Sequence, residues 1–394
     1  MGSVTRGDRA AAHGALIAAA LIGALPALSG CGRQAAPVAF HAEGYPTKLS
    51  EWNVVLARKD RLVLNDGVVP YDLNTPLFTD YAHKLRTVWM PKGAAATYSA
   101  MDTFEFPVGT VISKTFYYPR VAGTSGASAV RRTDDQSKDF AGEGLDLGAV
   151  RLIETRLLVR RESGWVAMPY VWNPEQTDAE LARAGDAIPM ELVGDDSGRH
   201  AFTYVVPNAN QCAGCHAPDN TTRKLQPIGP KARHLNREYP YASGTVNQIA
   251  HLQRVGYLGD VPSVAEWPRN ADWRDQHAPL TDRARAYLDI NCGHCHNARG
   301  PADTSGLWLD AETNDPMRLG LCKPPVAAGQ GTGDFSFDVV PGQPERSILV
   351  YRMQSTDPGA MMPELGRGTA HAAGVELVSQ WIREWPGQCD LQSR

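Results

Sequence analysis

The sequence predicts a multidomain α+β chain: a β-rich, sandwich-like N-terminal domain followed by mostly α-helical segments. Three observations carry that expectation. Between residues 46 and 205, apolar and β-branched residues alternate in short runs set apart by Pro and Gly clusters, as in NVVLARKDRLVL, TVISKTFYYP, RLIETRLLVRR and HAFTYVV. After residue 206 the alternation gives way to helical spacing and loops. At 394 residues the chain is long enough for two or three domains with sizeable cores.

The elements follow in chain order. Residues 1–30 read as a signal peptide: Arg6 and Arg9 precede the apolar run ALIAAALIGALPAL, 15–28. That run is shorter than the roughly 18–20 apolar residues of a membrane span. LSGC, 28–31, is similar to a bacterial lipoprotein signal. The similarity implies a lipidated Cys31 that holds the chain on a membrane without spanning it. The alternative is an ordinary secretory signal; both export the chain. Gly32, where family habit distinguishes Asp, points to the outer membrane, so the expected place is membrane-anchored, on the periplasmic side or in the outer membrane. Residues 31–45, rich in Ala, Pro and Gly, read as a tether. The β-rich domain, 46–205, is interrupted by one expected helix, TDAELARAG at 177–185. In the segment 206–278, VNQIAHLQRVG reads as a short helix ended by Gly256, and a Pro- and Trp-containing linker follows at 259–280. The unit 279–394 opens on the helix TDRARAYLDIN, with Thr281 as N-cap. It closes on GVELVSQWIREWPG, where Leu377, Val378, Trp381, Ile382 and Trp385 share one face and Pro386 and Gly387 end the helix.

A net charge of −4, with no basic or acidic run, offers nothing to nucleic acid. Export changes the cysteine arithmetic, because free thiols are unusual in an oxidising compartment. Beyond Cys31 there are six: Cys212, Cys215, Cys292, Cys295, Cys322 and Cys389. Cys322 and Cys389 are expected to form a disulfide that pins the C-terminal tail.

The other four lie in CAGCH, 212–216, and CGHCH, 292–296. Read as CGHC, the second is a disulfide-isomerase dithiol; read as C-x-x-C-H, both are attachment sites for c-type haem. Two thiols at this spacing can each add to one haem vinyl group, and the following His is held under the iron. Random placement predicts about 0.003 such motifs in a chain of this composition. The thiol-redox reading leaves His216 and His296 unexplained, and a zinc site built from the two CxxC pairs needs neither His. Two covalent haems are therefore expected, on Cys212 and Cys215 and on Cys292 and Cys295. His216 and His296 are the proximal ligands, and His294 is a solvated loop residue.

DPGAMMPELGRG, 357–368, offers a sixth ligand for the second haem in Met362, with Met361 as the fallback; helix–CxxCH, then Met-Pro, then a closing helix is the order of class I cytochromes c. For the first haem, His234 is the leading choice, with His251, Met168 and Met190 as alternatives. Arg352 and Trp308 read as ordinary helix and core residues.

With these residues in place, the chain resembles a family of bacterial di-haem c-type cytochromes, exported and of undefined substrate. PLFTDYAHKLRTVWMP, FPVGTVISKTFYYP, IETRLLVRRESGWVAMPYVWN, RARAYLDINCGHCHN and PGQPERSILVYRMQSTDPGAMMPELG carry the resemblance. It implies two haems, Met362 as a ligand, c-type haem domains in the helical part and a redox partner protein. A neighbouring parallel β-helix protein is an expected partner too. The leading expectation is electron transfer in the cell envelope. The alternatives are a di-haem peroxidase with one open haem, or a haem-bearing oxidoreductase subunit whose β domain binds partner or substrate.

Overall fold

The computed structural model describes residues 35–123, 128–137, 139–140, 144–195, 198–326 and 328–390. The expected signal peptide and Cys31 lie outside them. The chain forms two compact units, 1–36 and 37–394, and every strand and helix named here belongs to the second.

The N-terminal alternation forms strands where expected. They are β1 (Val55–Arg58), β2 (Arg61–Leu64), β3 (Val69–Tyr71), β4 (His83–Trp89), β5 (Ala96–Thr97), β6 (Val111–Pro119), β7 (Ala129–Arg131), β8 (Leu145–Asp146), β9 (Val150–Arg161), β10 (Gly164–Trp172), β11 (Ala179–Leu181), β12 (Asp186–Val193) and β13 (Arg199–Val206). The central sheet runs β11-β10-β9-β6-β4-β3, antiparallel throughout. Two three-stranded sheets, β1-β2-β8 and β13-β12-β7, flank it. Met190, Leu192, Tyr204 and Val206 pack with Phe116, Tyr118 and Ile153, which sets the β12–β13 hairpin against one part of the central sheet. A larger core joins Val88, Val111, Leu157 and Tyr170 to Trp52 and Leu62 of the β1–β2 region.

The expected helix at 177–185 is instead strand β11. Leu181 pairs with Tyr170 and Ala179 with Trp172, while the Leu181 N–H donates to the Thr47 carbonyl. Edge pairing outweighs the helix propensity of a short Ala- and Glu-containing stretch. Residues 37–45, expected as tether, are packed on the body: Val38 is buried in the main core and the Ala39 N–H donates to the Trp52 carbonyl.

The second half departs from expectation. The described residues carry 27% strand and 19% helix, so the mostly helical haem-domain fold class is overturned. Past residue 206 stand a hairpin of β14 (Glu238–Tyr241) and β15 (Gly244–Asn247), strand β16 (Leu258–Gly259), and helices α1 (Cys212–His216), α2 (Ala232–Leu235), α3 (Gln248–Arg254), α4 (Leu280–Leu288), α5 (Ile348–Gln354) and α6 (Ala372–Glu384). Gly and Pro recur every few residues between 300 and 345, and each interrupts helix propagation.

The helices expected over VNQIAHLQRVG and GVELVSQWIREWPG exist, as α3 and α6. Asn247 caps α3 by accepting from the Ile249 N–H, and Gly256 follows it at φ +79°. α4 starts at Leu280 after Pro279, so Thr281 is not its cap. α4, α5 and α6 enclose a second core of Tyr287, Leu288, Leu349, Val350, Leu377, Val378, Trp381 and Ile382. The expected linker at 259–280 contributes to both cores, through Trp267 and Trp273. Cys322 and Cys389 are joined, with Cα atoms 5.3 Å apart. Among the described residues no helix is long and apolar enough to cross a membrane.

Candidate functional site

The first motif is helix α1 itself. The second follows α4, which widens into a π turn at Asp289–Gly293 before Cys292–His296, a local geometry common at functional positions. The His296 and Cys295 N–H groups both donate to the Cys292 carbonyl, so thiols and imidazole share one helical turn. Asn291 ties this turn to the β domain: its Oδ1 accepts from the Phe78 N–H at 2.8 Å and its Nδ2 donates to the Tyr287 carbonyl. The two motifs, far apart in sequence, touch. Cys295 Sγ lies 3.4 Å from the Gly214 carbonyl oxygen, and the Asn220 N–H donates to the Arg299 carbonyl at 2.7 Å.

Both motif histidines are held alike. His216 Nδ1 lies 2.8 Å from the Gln226 carbonyl oxygen and His296 Nδ1 lies 3.2 Å from that of Leu307. A carbonyl only accepts, so each Nδ1 carries the proton and each Nε2 keeps its lone pair, which is the orientation of a metal-bound imidazole with its outer hydrogen bond in place. Burial keeps both rings neutral, lowering His216 to about 4 and His296 below the ordinary histidine range. Among the described residues neither Nε2 has a hydrogen-bond partner.

A largely apolar cavity of about 400 Å³ opens beside the second motif, within the size range of small-molecule and cofactor sites. Cys292, Cys295, His296, Leu307, Leu309, Leu349, Met353, Met362 and Val375 line it, with Gly214 and Cys215 of the first motif at its edge. Met362 is therefore placed with His296 at one cavity, and Met361 is not among the lining residues. Met353, which no sequence motif marks, also lines it. Arg352 and Arg367 reach the cavity, but each is engaged: Arg352 Nε donates to the Ala360 carbonyl, and Arg367 to those of Met362, Thr369, Arg352 and Ser355. The Met362 loop is anchored from the β domain. The buried Asp80 carboxylate accepts from the Gly368 N–H, the Thr369 N–H and the Thr369 hydroxyl at 2.7–2.9 Å. His371 stacks on Phe78 and shares a hydrogen bond with the Tyr287 hydroxyl.

His234 stands elsewhere. It is buried, with Nε2 3.6 Å from Asp289 Oδ2 and Nδ1 3.5 Å from Asn270 Nδ2, and burial drives it down to about 3. Arg233 grips the same carboxylate through Nε and Nη2. Burial alone would raise Asp289, but the charges of His234 and Arg233 hold it well below the usual carboxylate range. This network borders a polar groove of about 1660 Å³ and pairs His234 with Asp289, not with His216. His251 stacks on Tyr241 with ring centroids 3.6 Å apart, and Met168 and Met190 are core residues. Trp308 packs under Arg318. The expected solvated loop residue His294 is buried instead, lines both the cavity and the groove, and its Nδ1 has no hydrogen-bond partner.

Burial pushes Cys292 and Cys295 up to about 12 and raises Cys212 and Cys215 as well. A disulfide-exchange dithiol needs the opposite, a thiolate favoured by its surroundings. Among the described residues no group of three or more His, Cys, Asp or Glu side chains is gathered to hold a metal ion, so the two CxxC pairs do not form a four-thiolate site. A haem iron asks less of the chain: one imidazole and one further ligand, which His296 and Met362 offer at one cavity. No protein-family model matches the chain, nor does any curated protein or solved structure.

Proposed function

We propose that this chain is an exported di-haem c-type cytochrome that carries electrons in the bacterial cell envelope, as its resemblance implies. The observation that carries the reading is the matched arrangement of the two motifs. In each, a CxxCH turn presents a neutral imidazole whose Nδ1 is bound to a backbone carbonyl and whose Nε2 is left for a metal. Cys212 and Cys215, and Cys292 and Cys295, would hold one haem each by thioether bonds. Haem c supplies a one-electron iron couple when bound. His296 and Met362 would hold the iron of the second haem, and a thioether paired with an imidazole favours a high potential. The apolar wall of Leu307, Leu309, Leu349 and Val375 keeps water away, and the contact between Cys295 and Gly214 brings the two attachment points together.

The test is a haem count followed by carbon monoxide. A pyridine haemochrome assay on the exported protein is expected to give two haems per chain; fewer ends the reading. Carbon monoxide added to the reduced protein is expected to leave the haem of the second motif unchanged, and binding there would refute Met362 as its ligand. Binding at the other haem would favour the di-haem peroxidase alternative, in which the iron held by His216 keeps an open site.

A further inference from the structure

His371 precedes α6 and lines the cavity of the second motif beside Phe78 and Tyr287. Its ring is 6% exposed. It stacks on Phe78 with centroids 4.4 Å apart, lies 5.6 Å from the Tyr287 ring, and stands at steep angles to Trp273 and Tyr81. Nδ1 lies 2.9 Å from the Tyr287 hydroxyl, and Nε2 lies 3.3 Å from Asp134 Oδ1 without hydrogen-bond geometry. The Asp134 side chain is 34% exposed, so these contacts run from the cavity wall to solvent. Gly374 of α6 leaves room for them. A Cβ there would stand 2.6 Å from His371 Nδ1 and nearer still to the Tyr287 hydroxyl, although a glycine weakens a helix interior.

The surroundings balance for and against a charge on this ring. An aromatic face and a carboxylate favour the imidazolium, whose two N–H groups would meet the Tyr287 hydroxyl and Asp134. Burial raises Tyr287 well above the ordinary tyrosine range, so its hydroxyl stays neutral and can accept. Against the charge stand burial and the N-terminus of α6. The other charged and titratable neighbours are Tyr81, with Arg132 over its ring; Arg274, which donates to the Asp134 carbonyl and pairs with Asp272; and Asp80 and Arg367, both bound at Thr369. On α6 the first is Glu376, bound by Gln380 and Arg383. Each electron delivered by a reduced partner removes one positive charge from the cavity, which tips such a balance toward the imidazolium. We infer that His371 is a redox-linked proton site: its ring takes up one proton from solvent, on the Asp134 side, when the second haem is reduced, and returns it on oxidation. One electron and one proton enter together and leave together. The inference rests on the haem reading of the second motif.

The experiment uses the haem-loaded full chain as wild type, His371→Gln and Asp134→Asn. Haem per chain is counted by pyridine haemochrome. The midpoint potential of the second haem, followed through its thioether charge-transfer absorption, is measured between about pH 5 and pH 8, the interval in which histidine changes charge. In the wild type the midpoint is expected to fall as pH rises, by up to one proton per electron, because reduction is favoured where the proton is supplied. In His371→Gln, whose amide can still bond Tyr287 but does not titrate, the fall attributable to this site is expected to vanish. In Asp134→Asn the ring holds its proton less tightly, and the fall is expected to move to lower pH. A wild-type midpoint that is level across the interval, or a fall unchanged in His371→Gln, overturns the inference while two haems per chain leave the haem reading intact. Should His371→Gln lose a haem, Asp134→Asn decides: a displaced fall supports the site and an unmoved one overturns it. Fewer than two haems in the wild type ends the reading and the inference with it.

Discussion

Replacing Asp80 by Ala tests how the β domain holds the Met362 loop. The carboxylate is 3% exposed and is the acceptor for three donors: the Gly368 N–H, the Thr369 N–H and the Thr369 hydroxyl. Each buried donor left without an acceptor costs about 1–3 kcal/mol. Part of that is offset, because burial outweighs these hydrogen bonds and raises the Asp80 pKa; removing the carboxylate relieves that desolvation. Asp80 also sits at φ +46°, a left-handed conformation that Asp tolerates better than Ala. The net loss is expected to be about 2–4 kcal/mol. Urea unfolding measures it, and hydrogen exchange at the Gly368 and Thr369 amides locates it, with protection lost there first. Asp80→Asn keeps the backbone tolerance and one acceptor, and should cost less. An Asp80→Ala protein within about 0.5 kcal/mol of wild type, with both amides still protected, would refute the anchoring argument.

Other outcomes are equally open to measurement. Reducing the Cys322–Cys389 bridge, which closes a loop of 67 residues, should lower stability by about 4 kcal/mol on the chain-entropy account, read from urea unfolding with and without reductant. His234 is held at about 3 when folded against an ordinary value of 6.5, so the native state binds fewer protons between those values. Stability contributed by the neutral ring is present above about pH 6.5 and is lost as pH falls below it, with a slope of up to about 1.4 kcal/mol per pH unit. His234→Gln should flatten the stability curve between about pH 6.5 and pH 5; an unchanged curve would show that the ring is not forced neutral. Arg233→Met strands the Asp289 carboxylate and should cost about 3–5 kcal/mol in the same assay. In the haem-loaded protein, Met362→Ala should remove the thioether charge-transfer absorption and open one haem to carbon monoxide. Met361→Ala should do neither, and the reverse result would move the ligand to Met361.

The chemistry-bearing residues were legible because their meaning is local. A CxxCH spacing constrains five consecutive residues, and an alternating apolar run such as RLIETRLLVRR declares a strand whatever lies beside it. The closing helix was legible for the same reason: Leu377, Val378, Trp381 and Ile382 recur at the helical period and all are buried. What failed was inference about stretches whose structure is set from outside. TDAELARAG became a strand because β10 and Thr47 offered it backbone partners. His234 looked available as a ligand, but Asp289, distant in sequence, claims it. His294 looked like a loop residue, but the fold buries it where it lines both the cavity and the groove.

By itself, then, the sequence determined the two CxxCH turns, the strands of the β domain, the closing helix and the pairing of Met-Pro with the second CxxCH motif in one unit. Only the tertiary structure decided that the motifs touch, that Met362 and not Met361 lines the cavity of His296, and that each motif histidine has a carbonyl to orient it. The division has a physical cause. Covalent spacing and periodicity are properties of neighbouring residues, whereas a histidine's second hydrogen bond depends on which distant backbone or carboxylate the fold brings within about 3 Å.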